Sequence, residues 1–235
     1  MKRYLAVLGL AVVTGTVAAP AFAAEVFQTA TLGASSSGSY SIGSDGSDLG
    51  NMVGAAFVVP NGNSLDLTGV GATFDGNYNL LPGSGEQKIF IAIVALGDGG
   101  ALPSFAPSDI GGHALASIVF APPTVAGDFA VPTSLVLGPG AYAAIFGGGG
   151  LLGSDAAGQA GLADGNATLG SPNVFSSFYD PGSWSSYGFD TGIRIFETGT
   201  LTPVPEPDAL VLLSLGFVVL CAASARLRRP QPTRP

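Results

Sequence analysis

The chain carries one histidine, His113, in the setting Gly111-Gly112-His113. A Ser-His-Asp triad would need it as general base, and no Gly-x-Ser-x-Gly elbow accompanies any serine. His113 therefore reads as a loop residue. A zinc site asks for three or four His, Cys or carboxylate ligands. One histidine, and one cysteine (Cys221) inside a C-terminal apolar run, do not supply them, so no metal ligands are assigned. Paired carboxylates for glycoside hydrolysis are the remaining enzymatic option. The candidate acids Asp45, Asp48, Asp75, Asp98, Asp155 and Asp164 stand among Gly, Ser and Asn, where aspartate usually serves turn geometry. The residues thus point to a non-enzyme that needs no cofactor, with a secreted hydrolase as an alternative.

Two stretches are rich in oxygen donors, Asp45-Gly46-Ser47-Asp48 and Asp164-Gly165-Asn166. Neither has the spacing or the closing glutamate of an EF-hand loop, and they leave a structural calcium open. The run Gly147-Gly148-Gly149-Gly150 lacks the Lys and Ser/Thr of a phosphate-binding loop. Residues 175–189 (FSSFYDPGSWSSYGF) gather Phe175, Phe178, Tyr179, Trp184, Tyr187 and Phe189. Exposed aromatic faces can stack on sugar rings, which makes Tyr179, Trp184 and Tyr187 candidate glycan contacts. The alternative is that these rings fill a core or cover the end of a sandwich, the common use of a single Trp.

The elements that must carry these residues are short. With 36 Gly, 17 Pro and only 10% charged residues in 235, a helical bundle with charged faces is excluded. The 47% hydrophobic content excludes a charged disordered chain. Apolar runs separated by turn formers predict strands over 25–32, 51–59, 65–74, 88–96, 114–120, 133–137, 141–146 and 192–197, with 35–48 as a loop. Leu65, Leu67, Val70, Ala72 and Phe74 alternate around Gly69. The expected fold is all-β, an antiparallel β-sandwich with helix only at the two chain ends. The middle of the chain has no cysteine, so no disulfide framework supports it. Residues 24–203 hold fourteen acidic residues against Lys88 and Arg194, a net charge of −12. Nucleic-acid binding needs the opposite sign.

The two ends are addresses. Lys2 and Arg3, an apolar run and Ala21-Phe22-Ala23 have the three parts of a secretory signal peptide, with cleavage expected after Ala23. This implies the Sec translocon and signal peptidase as partners. At the other end, 209–225 contains no charge and reaches about 26 Å as a helix, the short end of what spans a bilayer. Arg226, Arg228 and Arg229 follow it, as a cytoplasmic stop should. The organisation expected is a signal peptide at 1–23, a sandwich at 24–201, a linker at 202–208, a transmembrane helix at 209–225 and a basic tail at 226–235.

The linker contains Val204, Pro205, Glu206 and Pro207. Two prolines fix their own φ and extend the residues before them, which makes a stiff strip for an enzyme cleft to grip. This tripeptide, the apolar helix and the arginines, in that order, resemble the PEP-CTERM sorting signal of Gram-negative bacteria. The resemblance implies recognition and removal of the tail by exosortase, a membrane-embedded transpeptidase resembling cysteine proteases. It further implies an inner-membrane intermediate facing the periplasm, then a place at the cell surface or in an extracellular matrix or biofilm with exopolysaccharide. A permanent single-span anchor is the alternative. Leu135, Leu137, Pro139, Gly140 and Tyr142 carry a phrase similar to one in the jelly-roll ectodomains of choice-of-anchor proteins. That likeness implies a jelly-roll-like sandwich serving as a generic surface module.

Overall fold

The computed structural model describes residues 24–29, 36–43, 50–76, 87–97, 102–155, 159–165, 174–177, 183–186 and 193–204. Strands follow in chain order: β1 (Glu25–Gln28), β2 (Ser36–Gly43), β3 (Met52–Val59), β4 (Asn63–Phe74), β5 (Ile89–Ala95), β6 (Ala114–Phe120), β7 (Gly127–Leu137), β8 (Gly140–Gly147), β9 (Gln159–Gly165), β10 (Val174–Ser177), β11 (Ser185–Ser186) and β12 (Ile195–Pro203). The single α-helix among the described residues, α1 (Ile110–His113), is one turn long.

The strands form two six-stranded sheets, and every pairing is antiparallel. The first has the order β1-β12-β4-β9-β2, with β7 also paired to β4; the second has the order β11-β10-β3-β8-β5-β6. One buried cluster takes side chains from both: Leu65, Leu67, Val70, Ala72, Phe74 and Ile195 from the first, Val53, Ala55, Phe57, Ile89, Ile91 and Phe146 from the second. The expected all-β class is what the chain adopts.

The alternation read in 65–74 has a break that the backbone explains. Leu65 and Leu67 are odd-numbered, while Val70, Ala72 and Phe74 are even. Side chains alternate strictly along a strand, so this parity change needs one extra residue. That residue is Thr68: Leu67 faces Gly199 and Gly69 faces Thr198, which leaves Thr68 outside the β12 register, its hydroxyl donating to the Thr198 carbonyl at 3.2 Å.

The turn Pro60-Asn61-Gly62-Asn63 carries the chain from β3 in one sheet to β4 in the other. The Asn63 N–H closes it on the Pro60 carbonyl at 3.1 Å. Gly62 takes φ +77°, a conformation that side chains disfavour. The Leu-x-Leu-x-Pro-Gly-x-Tyr phrase makes the same crossing from β7 to β8. The Tyr142 hydroxyl donates back to the Gly138 carbonyl at 3.1 Å, and its ring stacks on Phe57 at 5.8 Å.

A second buried cluster lies on the outer face of the second sheet: Met52, Phe90, Ala92, Val94, Ala143 and Ile145. The connection from β5 to β6 folds back over it, bringing Ile110 into the cluster with Leu102 and Phe105 packed against it. Two expectations are corrected here. Residues 36–43 are not loop but strand β2, which pairs along its length with β9. Its composition is mostly Ser and Gly, with Ile42 in the core and Tyr40 packed against it, so composition hides it. His113 ends a helical turn rather than lying in a loop, because Ile110 anchors that turn in the second cluster.

The expected signal peptide, with Ala21 and Ala23, lies outside the described residues. So do Pro205, Glu206, Pro207, the apolar run 209–225 and Arg226, Arg228 and Arg229. Among the described residues no helix is long and apolar enough to cross a membrane. Phe74 meets Phe120, Phe129 and Phe146 edge-on, with ring centroids 6.2–6.3 Å apart. With that ring fully enclosed, Phe74→Ala is expected to lower unfolding free energy by about 3–5 kcal/mol. The shift in urea midpoint measures it.

Candidate functional site

The last strand, β12, carries opposite chemistry on its two faces. Arg194, just before it, and Phe196 face outward; Ile195 and Glu197 face inward. Glu197 stands in a cross-strand row between Phe27 of β1 and Val70 of β4. Since Val70 belongs to the core, the row lies on the inner face.

The outward face is fully compensated. Arg194 is 3% exposed, but its guanidinium bonds Glu25 at 2.5 Å and Asp128 at 3.2 Å. It also donates to Gln28 Oε1 and lies 4.6 Å over the Phe196 ring. One cation thereby ties β1, β12 and β7. Asp128 in turn accepts from the Thr73 hydroxyl.

The inward face is not compensated. Glu197 is 2% exposed, and its Oε1 has no hydrogen-bond partner. Burial alone pushes its carboxyl up from 4.5 to about 8, because desolvation penalises the charged form. The side chain lines a cleft of about 290 Å³ with Phe27, Gln28, Thr29, Ala55, Ala56, Phe57 and Val58. The cleft lies between β1, at the edge of the first sheet, and the second half of β3. Strand β10 covers β3 only from Met52 to Ala55. Phe27 and Phe57 meet at 5.1 Å and form one wall. Thr29 is already committed: its hydroxyl donates to the Ile193 carbonyl at 2.6 Å and accepts from the Ile195 N–H at 2.8 Å.

The residues singled out by sequence fall elsewhere. The Trp184 N–H donates to the Phe105 carbonyl at 2.8 Å, and its ring meets Phe105 edge-on at 6.4 Å. Phe105 stacks on His113 at 4.1 Å, nearly parallel. Trp184, Phe105 and His113 thus form one aromatic cover over the second cluster. Tyr179 and Tyr187 lie outside the described residues, as do Asp45, Asp48 and Asn166 of the oxygen-rich stretches. Asp164 stands in β9 rather than in a turn. Asp155 is a loop clamp, accepting the Lys88 N–H at 2.9 Å while its own N–H donates to the Lys88 carbonyl. No three metal-ligating side chains converge among the described residues.

Val204 is the one described residue of the sorting motif. It is exposed, and its N–H donates to the Gly62 carbonyl at 2.8 Å. Strand β12 continues to Pro203, through the first two residues read as linker.

Sequence reasoning missed Glu197, although the signal was present. Alternation along the expected strand 192–197 puts Glu197 on the face of Ile193 and Ile195. A carboxylate at an inward position is a local conflict with the fold. No known family model matches the chain, and no curated protein is detectably similar to it.

The raised Glu197 pKa has a stability consequence. Between about 4.5 and about 8 the folded state keeps a proton that the unfolded chain has released. Raising pH across that window therefore removes stability, by up to about 1.4 kcal/mol per pH unit. Glu197→Gln should have stability close to wild type near pH 4 and exceed it increasingly up to pH 8. Urea unfolding of both proteins at pH 4, 6 and 8 checks this, and parallel pH curves would contradict it.

Proposed function

We propose that this chain is an exported, non-enzymatic surface or extracellular-matrix protein with a jelly-roll-like ectodomain. The Sec machinery and signal peptidase deliver it, the 209–225 segment holds it briefly in the inner membrane, and exosortase then cuts it at the signal beginning at Val204. Its setting is an exopolysaccharide-rich surface or biofilm. The observation that carries this reading is the ordered sequence at the C-terminus: Pro205-Glu206-Pro207, an uncharged run, then arginines.

The geometry of the domain supports it. Pairing with β4 runs to Pro203 opposite Asn63, so the Pro-Glu-Pro strip begins in sequence two residues after that pairing ends. The Val204 backbone is tethered to the β3–β4 turn, which holds the start of that strip against a rigid edge. Ala24 sits beside the middle of β12, its carbonyl accepting the Gly199 N–H at 3.0 Å. The β3–β4 turn and the end of β12 together form one pole of the domain. Large apolar side chains are exposed around that pole, at Val58, Val136, Leu201 and Val204. Such a surface suits a domain held close to a bilayer before release.

Intact mass of the protein recovered from its host, beside Glu206→Ala, tests the reading. The expected wild-type species begins near Ala24 and ends between 203 and 207, and the variant keeps its tail. Chains still carrying 226–235 in both would mean a plain membrane anchor.

A further inference from the structure

The cleft at Glu197 plays no part in sorting, and its chemistry asks for a ligand. Its volume, about 290 Å³, lies near the lower bound of small-molecule pockets, roughly 300 Å³. Its walls are the rings of Phe27 and Phe57 with Ala55 and the strand at Ala56–Val58. Three polar residues line it. Gln28 Oε1 is held by Arg194, and the Thr29 hydroxyl is held by the backbone at 193 and 195. Glu197 Oε1, almost wholly buried, has no partner. We propose that this cleft binds a small, uncharged, largely apolar molecule bearing one hydroxyl or carbonyl oxygen. Its body would pack on Phe27, Ala55 and Phe57, and its oxygen would bond the Glu197 carboxyl.

The charge class follows from what surrounds the carboxyl. β1 presents Phe27, Gln28 and Thr29; β3 presents Ala55 through Val58; β4 presents Val70; β12 itself presents Ile195. None of these titrates. The nearest guanidinium in sequence, Arg194, faces away and is occupied by Glu25 and Asp128. With no cation beside it, burial keeps Glu197 protonated at neutral pH. A protonated carboxyl both donates and accepts one hydrogen bond, which matches a hydroxyl and also serves a carbonyl. An organic cation would first have to strip that proton. An anion would meet an acidic domain and no positive group.

Methyl NMR titration of the full protein recovered from its host reads the site directly, through Ala55, whose side chain faces inward with Phe57. The probes are benzyl alcohol, toluene and benzylamine at pH 7. Benzyl alcohol is expected to shift this methyl saturably, with toluene roughly fivefold weaker for want of one buried hydrogen bond. Glu197→Gln, which still donates and accepts, should keep that preference, and Glu197→Leu should erase it. No saturable shift with benzyl alcohol, equal binding of toluene, or tighter binding of benzylamine would each overturn the proposal. The comparison of probes on the wild type does not depend on either variant folding. Nor does it depend on whether the tail is cut.

Discussion

The parity of side chains along β4 is the constraint from which most of this structure follows. β4 is paired by β12 on one edge and by β7 on the other, and its inward residues form the middle of the shared core. A strand in that position can change which residues face inward only by inserting one, and Thr68 is the insertion. It turns Leu65 and Leu67 inward before the bulge, and Val70, Ala72 and Phe74 inward after it. The same shift turns Gly69 and Gly71 outward. At Gly71 a side chain would collide with the Phe196 ring and come within 2.6 Å of the Phe129 carbonyl. The missing Cβ thus lets Phe196 lie flat across the sheet, and Arg194 covers Phe196 in turn. One extra residue in one strand therefore sets the inner packing and the outer cation network together. With no disulfide in the domain, burial of this kind and that network must supply the stability.

The parts of this architecture that were legible in the sequence are those whose energy comes from periodic burial. KIFIAIVAL, NMVGAAFVV and AYAAIF announce β5, β3 and β8, because a strand buried on both faces must be apolar throughout. Two of the crossings between sheets were also legible, since Pro60-Asn61-Gly62-Asn63 and Gly138-Pro139-Gly140 have turn chemistry that strands cannot use. Strands β2, β9, β10 and β11 were not. They are Ser-, Gly- and Ala-rich, and their backbone pairing is specified by neighbours far away in sequence. Gly43 pairs with Gln159, and Ser177 pairs with Met52. Strand propensity reports packing against neighbours more than any backbone preference, so such segments carry little local signal. The aromatic cover over the second cluster was half legible. Trp184 could be foreseen as packing, but its partners Phe105 and His113 come from the β5–β6 connection, which no spacing rule joins to residue 184.

Arg194 and Glu197 show how differently one strand can treat two charges. Both are about equally buried. The arginine has two carboxylates, an amide oxygen and an aromatic face. Removing any one of these would leave the others in place, so its charge is retained at modest cost. The glutamate has apolar neighbours and an empty hydrogen-bonding position. Fourteen acids against two bases in 24–203 make the difference understandable. The domain has many carboxylates to surround one cation, and no spare cation for a buried carboxylate. Charge scarcity, more than geometry, leaves Glu197 to be neutralised by a proton.

That neutralisation does not remove the cost of the position. A protonated carboxyl still loses water on burial, and an unmade hydrogen bond there costs about 1–3 kcal/mol. Asn51 and Ser176 also leave an oxygen unpaired, but the resemblance ends there. They are neutral at every pH and neither borders the cleft. At Glu197 the unmet hydrogen bond belongs to a residue in the wall of a cleft, with two aromatic rings alongside. A leucine would fill the position and a glutamine would remove its pH dependence, so the carboxyl is the least economical choice for stability alone. Where a fold otherwise consistent from turn to core keeps one unsatisfied acid in the wall of a cleft, the conflict is best located in what enters that cleft.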